Sequence, residues 1–98
     1  MTIAITAAHR PLGSTGRSVS PLGYGSVPIG REGYASTDAA RLLDAVLDAD
    51  ITLIDTAAAY GKAEEEIGRA IAHRRDAYTL VTKTGATDNY APAWSARE

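Results

Sequence analysis

Thr52-Leu53-Ile54-Asp55-Thr56-Ala57-Ala58-Ala59-Tyr60-Gly61 and, downstream, Leu80-Val81-Thr82-Lys83-Thr84-Gly85 decide how this chain folds. Each is a short apolar run that ends on a charged residue and then breaks at a glycine. Ile51 to Ile54 and Tyr78 to Thr82 are too short and too β-branched for helices, and their near-continuous apolar character suits parallel strands covered on both faces. An amphipathic helix between them completes a βαβ unit. Its right-handed crossover brings both strand carboxyl ends to the same edge of the sheet. Asp55 and Lys83 stand at those ends, and on neighbouring strands about 4.8 Å apart their carboxylate and ammonium can meet. Tyr60, in the loop leaving the first strand, can lean over both.

The bulk properties narrow the field. Ninety-eight residues make one small domain or a piece of a larger one. A net charge of −2 with interspersed signs gives no electrostatic reason to expect nucleic acid or a membrane surface as partner. The absence of cysteine excludes disulfides, thiolate metal sites and a cysteine nucleophile. No apolar run approaches the roughly 20 residues of a membrane span, and Met1-Thr2-Ile3-Ala4-Ile5-Thr6 lacks the basic start of a secretory signal. A cytoplasmic protein is expected.

Upstream of the organising stretch, residues 1 to 9 read as a flexible tail. Two short arms around Gly13-Ser14-Thr15-Gly16, between Arg10-Pro11 and Pro21, read as a β-hairpin. The lysine and following helix that a phosphate loop requires are missing there, so the turn is read as structural. Leu22-Gly23-Tyr24-Gly25-Ser26-Val27 reads as the first core strand. Its glycines do not make a dinucleotide fingerprint, because Pro28 stands where the third glycine or alanine belongs and no helix opens within the motif. Residues 28 to 36 form a loop longer than the usual two to six, and long loops after strands are where sites are built.

Thr37 is the expected N-cap of a helix from Asp38 to Ala49, burying Leu42, Leu43, Val46 and Leu47 and leaving Asp44 and Asp48 on a solvated face. A second helix is expected from Ala63 to His73. Glu64, Glu65 and Glu66 at its start and His73, Arg74 and Arg75 at its end complement the helix dipole. Three consecutive glutamates cannot face one point on a helix, so no metal site is expected. His73 reads as a basic helix end. Residues 86 to 93 are polar and irregular, and Ser95 ahead of Ala96-Arg97-Glu98 has the form of a helix start.

At this point the residues resemble a known family. Arg10-Pro11-Leu12-Gly13 through Leu22-Gly23-Tyr24-Gly25, then Ile54-Asp55-Thr56-Ala57-x-x-Tyr60-Gly61-x-x-Glu64-x-x-Ile67-Gly68, then Val81-Thr82-Lys83, resemble the start of the aldo-keto reductases. The resemblance covers about residues 10 to 98. It implies an α/β fold: the amino-terminal portion of a TIM barrel, made here of a β-hairpin, about three parallel strands and two helices, with the barrel not closed within the chain. It also implies that Asp55, Tyr60 and Lys83 match three members of the family's catalytic tetrad.

The implied chemistry is reduction of a carbonyl, or oxidation of an alcohol, in a small molecule with NADP(H). The cofactor delivers a hydride to the carbonyl carbon, and the tyrosine hydroxyl gives a proton to the oxygen. A free phenol, with pKa about 10, is a reluctant donor near neutrality. A nearby ammonium favours the phenolate, and a carboxylate paired to that ammonium holds it in place and charged. Tyr60 is thus expected as acid and base, Lys83 as its tuner and Asp55 as the anchor. By the same matching Gly25, Ser26, Val27 and Asp55 are expected on the cofactor side, near its nicotinamide end; Val27 occupies a position more often aromatic in the family. Asp50, which ends the first helix, stands where the family pattern has glycine.

The family's fourth tetrad member, a histidine on the next strand, has no counterpart here, since His73 precedes Lys83. An eight-stranded barrel takes about 250 residues, so the chain reads as an amino-terminal fragment: a flexible tail at 1–9 and a partial barrel domain at 10–98. Three readings stand side by side: part of an NADPH-linked oxidoreductase, a non-catalytic interaction module, and an inactive remnant. The two open edges of a three-stranded sheet carry unpaired backbone groups, from which self-association is expected.

Overall fold

The computed structural model describes residues 8–85. Residues 1–7 of the expected tail, the irregular stretch at 86–93 and the helix start at Ser95 lie outside the described residues. The hairpin is present: β1 (Arg10–Pro11) pairs antiparallel with β2 (Ser18–Val19). Gly13 and Gly16 turn the chain between them with positive φ, a region that a side chain disfavours, and the Leu12 N–H donates to the Arg17 carbonyl at 2.8 Å.

The main sheet has three parallel strands in the order β3 (Gly23–Gly25), β4 (Leu53–Asp55), β5 (Thr79–Val81). Tyr24, Ile54 and Leu80 are register partners, and so are Gly25, Asp55 and Val81. Because side chains alternate across a sheet, the first trio shares one face and the second the other. The Ile54 face carries the core. Ile54 itself is fully buried with Ile29, Leu43, Ile67 and Ile71 from the flanking elements, and Tyr24 and Leu80 pack against that cluster. This β-α-β-α-β succession is the opening of the expected barrel, and the sheet does not close among the described residues.

The strands are shorter than their apolar runs. From Leu22–Val27 only three residues pair, because the chain turns into a 3-10 helix, Val27–Gly30, in whose first turn Pro28 fits with its fixed φ and missing N–H. The first helix, α1 (Ser36–Asp48), begins earlier than expected. Its N-cap is Ala35 rather than Thr37, with no side-chain cap, and Ser36 directs its hydroxyl to Glu66 at 2.9 Å. The buried stripe is Ala39, Leu43, Val46 and Leu47, with Leu42 only partly buried. Asp44 and Asp48 are not simply solvated: the Arg74 guanidinium donates to both at 3.1 Å. The second helix, α2 (Ala63–Ile71), stops two residues short of His73, and a 3-10 stretch, Ala72–Ala77, carries Arg74 back to α1.

The end of α1 is a Schellman cap. Asp50 has φ of 63°, its N–H donates to the Leu47 carbonyl at 3.0 Å, and the Ile51 N–H donates to the Val46 carbonyl at 3.1 Å. A left-handed non-glycine residue costs about 1 to 2 kcal/mol, less for Asp. Here the carboxylate has a partner, His9 Nε2 at 2.9 Å, in a partly exposed pair of the kind worth about 0.2 to 1 kcal/mol. Asp50→Gly is therefore expected to raise the urea midpoint modestly, and to raise it further in a His9→Ala background, where no pair remains to be lost. A lower midpoint for glycine in both backgrounds would show that the cap does not disfavour Asp.

Candidate active site

The parallel register sets Asp55 beside Val81 at the carboxyl edge of the sheet, and Lys83 follows two residues later. The Lys83 ammonium reaches back across that edge, donating to Asp55 Oδ1 at 2.7 Å and to the Thr56 carbonyl at 2.9 Å. The Tyr60 hydroxyl lies 3.4 Å from the same nitrogen, a long contact, and the ammonium stands 5.1 Å from the centre of the Tyr60 ring. All three residues expected to act together are thus gathered around one nitrogen. The hydrogen bond to Asp55 pushes the Lys83 pKa above its ordinary value, partial desolvation opposes this, and the Tyr60 hydroxyl adds to it. Backbone bonds hold the frame: the Thr56 N–H donates to the Val81 carbonyl at 2.8 Å and the Ala58 N–H to the Lys83 carbonyl at 3.1 Å.

The residues expected on the cofactor side divide. Gly25 is exposed beside Asp55, with nothing within 4 Å of where a side chain would stand. Val27 is also exposed. Ser26 is fully buried, and both its N–H, at 2.9 Å, and its hydroxyl, at 2.8 Å, donate to the Asp55 carbonyl. Its hydroxyl is therefore committed to holding the strand that carries Asp55.

The three glutamates at the start of α2 do separate jobs. Glu64 accepts from the Thr82 hydroxyl, next to Lys83. Glu65 pairs with Arg69 on the surface at 3.2 Å. Glu66 is buried, and accepts from Ser36 at 2.9 Å and from Arg69 at 3.3 Å. The helical spacing of Ala63, Glu66, Ile67 and Ile71 was the available signal that Glu66 faces inward. Among the described residues no three His, Asp or Glu side chains are grouped to hold a metal ion, and no helix is long and apolar enough to cross a membrane. A hollow of about 520 Å³ lined by His9, Arg17, Thr52 and Thr79 lies at the amino ends of the strands, away from Asp55 and Lys83.

Parallel strand-helix units with polar side chains gathered at the strand carboxyl ends are the arrangement that TIM barrels share with doubly wound sheets, and the family decides between them. The chain belongs to the aldo/keto reductase family, whose model matches residues 21–98. It is 35% identical over 94 residues to 6-dehydroglucose reductase of Novosphingobium aromaticivorans, which covers 85% of this chain and 31% of that protein. It is 41% identical over 83 residues to the aldo-keto reductase YhdN of Bacillus subtilis, covering 78% of this chain and 25% of that protein. A solved candidate aldo-keto reductase from Pseudomonas aeruginosa superposes with a TM-score of 0.83 at 41% identity, over 97% of this chain and 38% of that one. The chain thus spans under a third of the length of the curated relatives it matches, and its strands correspond to the amino-terminal part of their barrel.

The raised Lys83 pKa links stability to pH. The folded chain favours the ammonium, so the contribution is full below the ordinary lysine value of 10.5 and is lost as pH rises through the higher folded-state value. Both side chains are about half exposed, 50% for Lys83 and 44% for Asp55, which keeps the pair near the 0.2 to 1 kcal/mol (roughly) of a surface ion pair. Lys83→Met is expected to unfold at lower urea than the parent at pH 8, with the difference shrinking towards zero above pH 10.5. A difference independent of pH would mean that Lys83 stabilises through packing of its stem.

Proposed function

We propose that the chain contributes Asp55, Tyr60 and Lys83 to an NAD(P)H-dependent oxidoreductase that interconverts a small-molecule carbonyl and its alcohol. The observation that carries this reading is the single Lys83 ammonium within reach of both the Asp55 carboxylate and the Tyr60 hydroxyl. In the reducing direction the Tyr60 hydroxyl gives its proton to the substrate oxygen. The positive charge 3.4 Å away stabilises the phenolate that remains. Asp55 and the Thr56 carbonyl hold the ammonium in place, so that it need not reorganise as charge develops.

The open space at Gly25, next to Asp55, and the exposed side chain of Val27 fit the flat, largely apolar face of a nicotinamide ring. Bound there, NAD(P)H supplies the hydride. Gly25 and Val27 make the contact surface, and buried Ser26 fixes it to β4 through the Asp55 carbonyl.

Two assays test the reading. Three strands form one side of a barrel mouth, and positioning of reactants supplies roughly 7 to 11 kcal/mol of a barrier. The 98-residue chain alone is therefore expected to show neither NADPH fluorescence change nor loss of NADPH absorbance with a panel of aldehydes. Joined to the remaining strands of the Bacillus subtilis relative, it is expected to reduce aldehydes. Tyr60→Phe should then lower turnover by about 10² to 10⁴, and Asp55→Asn by less, because only the tyrosine transfers the proton. Undiminished turnover in Tyr60→Phe would overturn the assignment.

A further inference from the structure

Tyr60 sits in a loop, yet its backbone is clamped. A Cβ added to Gly30 would lie closer than 3.0 Å to the Tyr60 carbonyl oxygen and carbon, and a Cβ added to Gly61 would lie as close to the Gly30 carbonyl oxygen. Each glycine thus gives its side-chain space to the other segment's backbone. Gly61 also has φ of 56°. A hydrogen bond locks the seam, from the Lys62 N–H to the Gly30 carbonyl at 3.2 Å, and the Ala63 N–H closes the turn on the Tyr60 side by donating to the Tyr60 carbonyl at 3.0 Å. The Lys62 ammonium donates to the Tyr34 carbonyl at 2.6 Å, tying the same loop to the turn beyond Gly30.

The other end of the 3-10 helix Val27–Gly30 is fixed as well. Ser26 is held by two hydrogen bonds to the Asp55 carbonyl, and Ile29 is fully buried. A closed circuit results. It runs from the Asp55 backbone through Ser26 and the 3-10 helix to Gly30, across the seam to Tyr60, and from the Tyr60 hydroxyl through Lys83 to the Asp55 carboxylate.

From this circuit we infer that Gly30, with Gly61 opposite, is a positioning residue that sets the distance between the Tyr60 hydroxyl and the Lys83 ammonium. The inference rests on the reading of Tyr60 as proton donor for its functional meaning, but not for its geometry. A methyl at Gly30 meets a backbone carbonyl, which cannot rotate aside as a side-chain end can. The Tyr60 backbone has to move. A contact that is already 3.4 Å long does not survive a displacement of that kind.

The test uses the 98-residue chain, at concentrations dilute enough to keep its open sheet edges unpaired, and NMR, comparing Gly30→Ala with Gly68→Ala, a substitution in α2 whose new methyl meets nothing within 4 Å. The parent and Gly68→Ala are expected to show a cross-relaxation signal between the Tyr60 ring and the Lys83 side chain. Gly30→Ala is expected to lose it while the cross-strand signals of β4 and β5 persist. Retention of the Tyr60–Lys83 signal in Gly30→Ala would overturn the inference. Should Gly30→Ala not fold, hydrogen exchange in the parent decides. A Lys62 amide protected about tenfold or more over the amides of Glu32 and Gly33 supports the seam, and one exchanging as fast as they do overturns it. Persistent turnover of Tyr60→Phe in the completed barrel would remove Tyr60 from the chemistry without touching either spectroscopic result.

Discussion

The site depends on β4 and β5 running parallel and in register. An ammonium on one strand can bond a carboxylate on the next only if both leave the sheet at the same edge, and the right-handed crossover through α2 meets that condition. Burial of Ile54 fixes the phase. With Ile54 and Leu80 turned to the helices, Asp55 and Val81 must turn to the other face. A slip of one residue would bury the carboxylate and expose the isoleucine, so the apolar packing that holds the core also aims the polar group.

The same strand end organises more than the ion pair. The Asp55 carboxylate receives Lys83, while its carbonyl receives the N–H and hydroxyl of Ser26. One residue thus joins three loops, those after β3, β4 and β5. Each loop would be free to move alone. Bonded to a common point whose neighbour Ile54 is fully buried, they are tied to the sheet at one place. Glu64 adds a second tie, from the start of α2 to Thr82, which shortens the free path of the chain that presents Lys83.

What was legible in the sequence follows from the range of the physics involved. Periodicity and short β-branched runs are local, and they gave the hairpin, the order of strands and helices, and the edge on which Asp55, Tyr60 and Lys83 meet. The left-handed Asp50 is also local, set by the end of one helix. Asp55 and Lys83 were legible as distant partners because parallel strands fix where they meet, whereas partners set by packing alone were not. Ser36 left its own helix end for Glu66, thirty residues on, and Arg74 crossed back to Asp44 and Asp48. The family resemblance puts Ser26 on the cofactor side, and its hydroxyl serves the backbone of another strand. Gly30 and Gly61 read as loop glycines, because a residue defined by what it leaves room for carries no signal until the other segment is in place.

Hydration decides how strongly the Lys83 charge acts on the Tyr60 hydroxyl. Two unit charges about 4 Å apart interact by roughly 1 kcal/mol in bulk water and by roughly 4 kcal/mol at an effective dielectric constant of 20. With Lys83 and Asp55 about half exposed, the Lys83 charge acts near the weaker limit. Val81, beside Asp55 on the same face of the sheet, is exposed, and so is Val27 in the segment that follows β3. Whatever covers that apolar surface displaces water from Lys83 as well. Burial that stabilises the sheet and the strength of the Lys83 charge at the Tyr60 hydroxyl are therefore one process, set by how dry the face carrying Asp55 becomes.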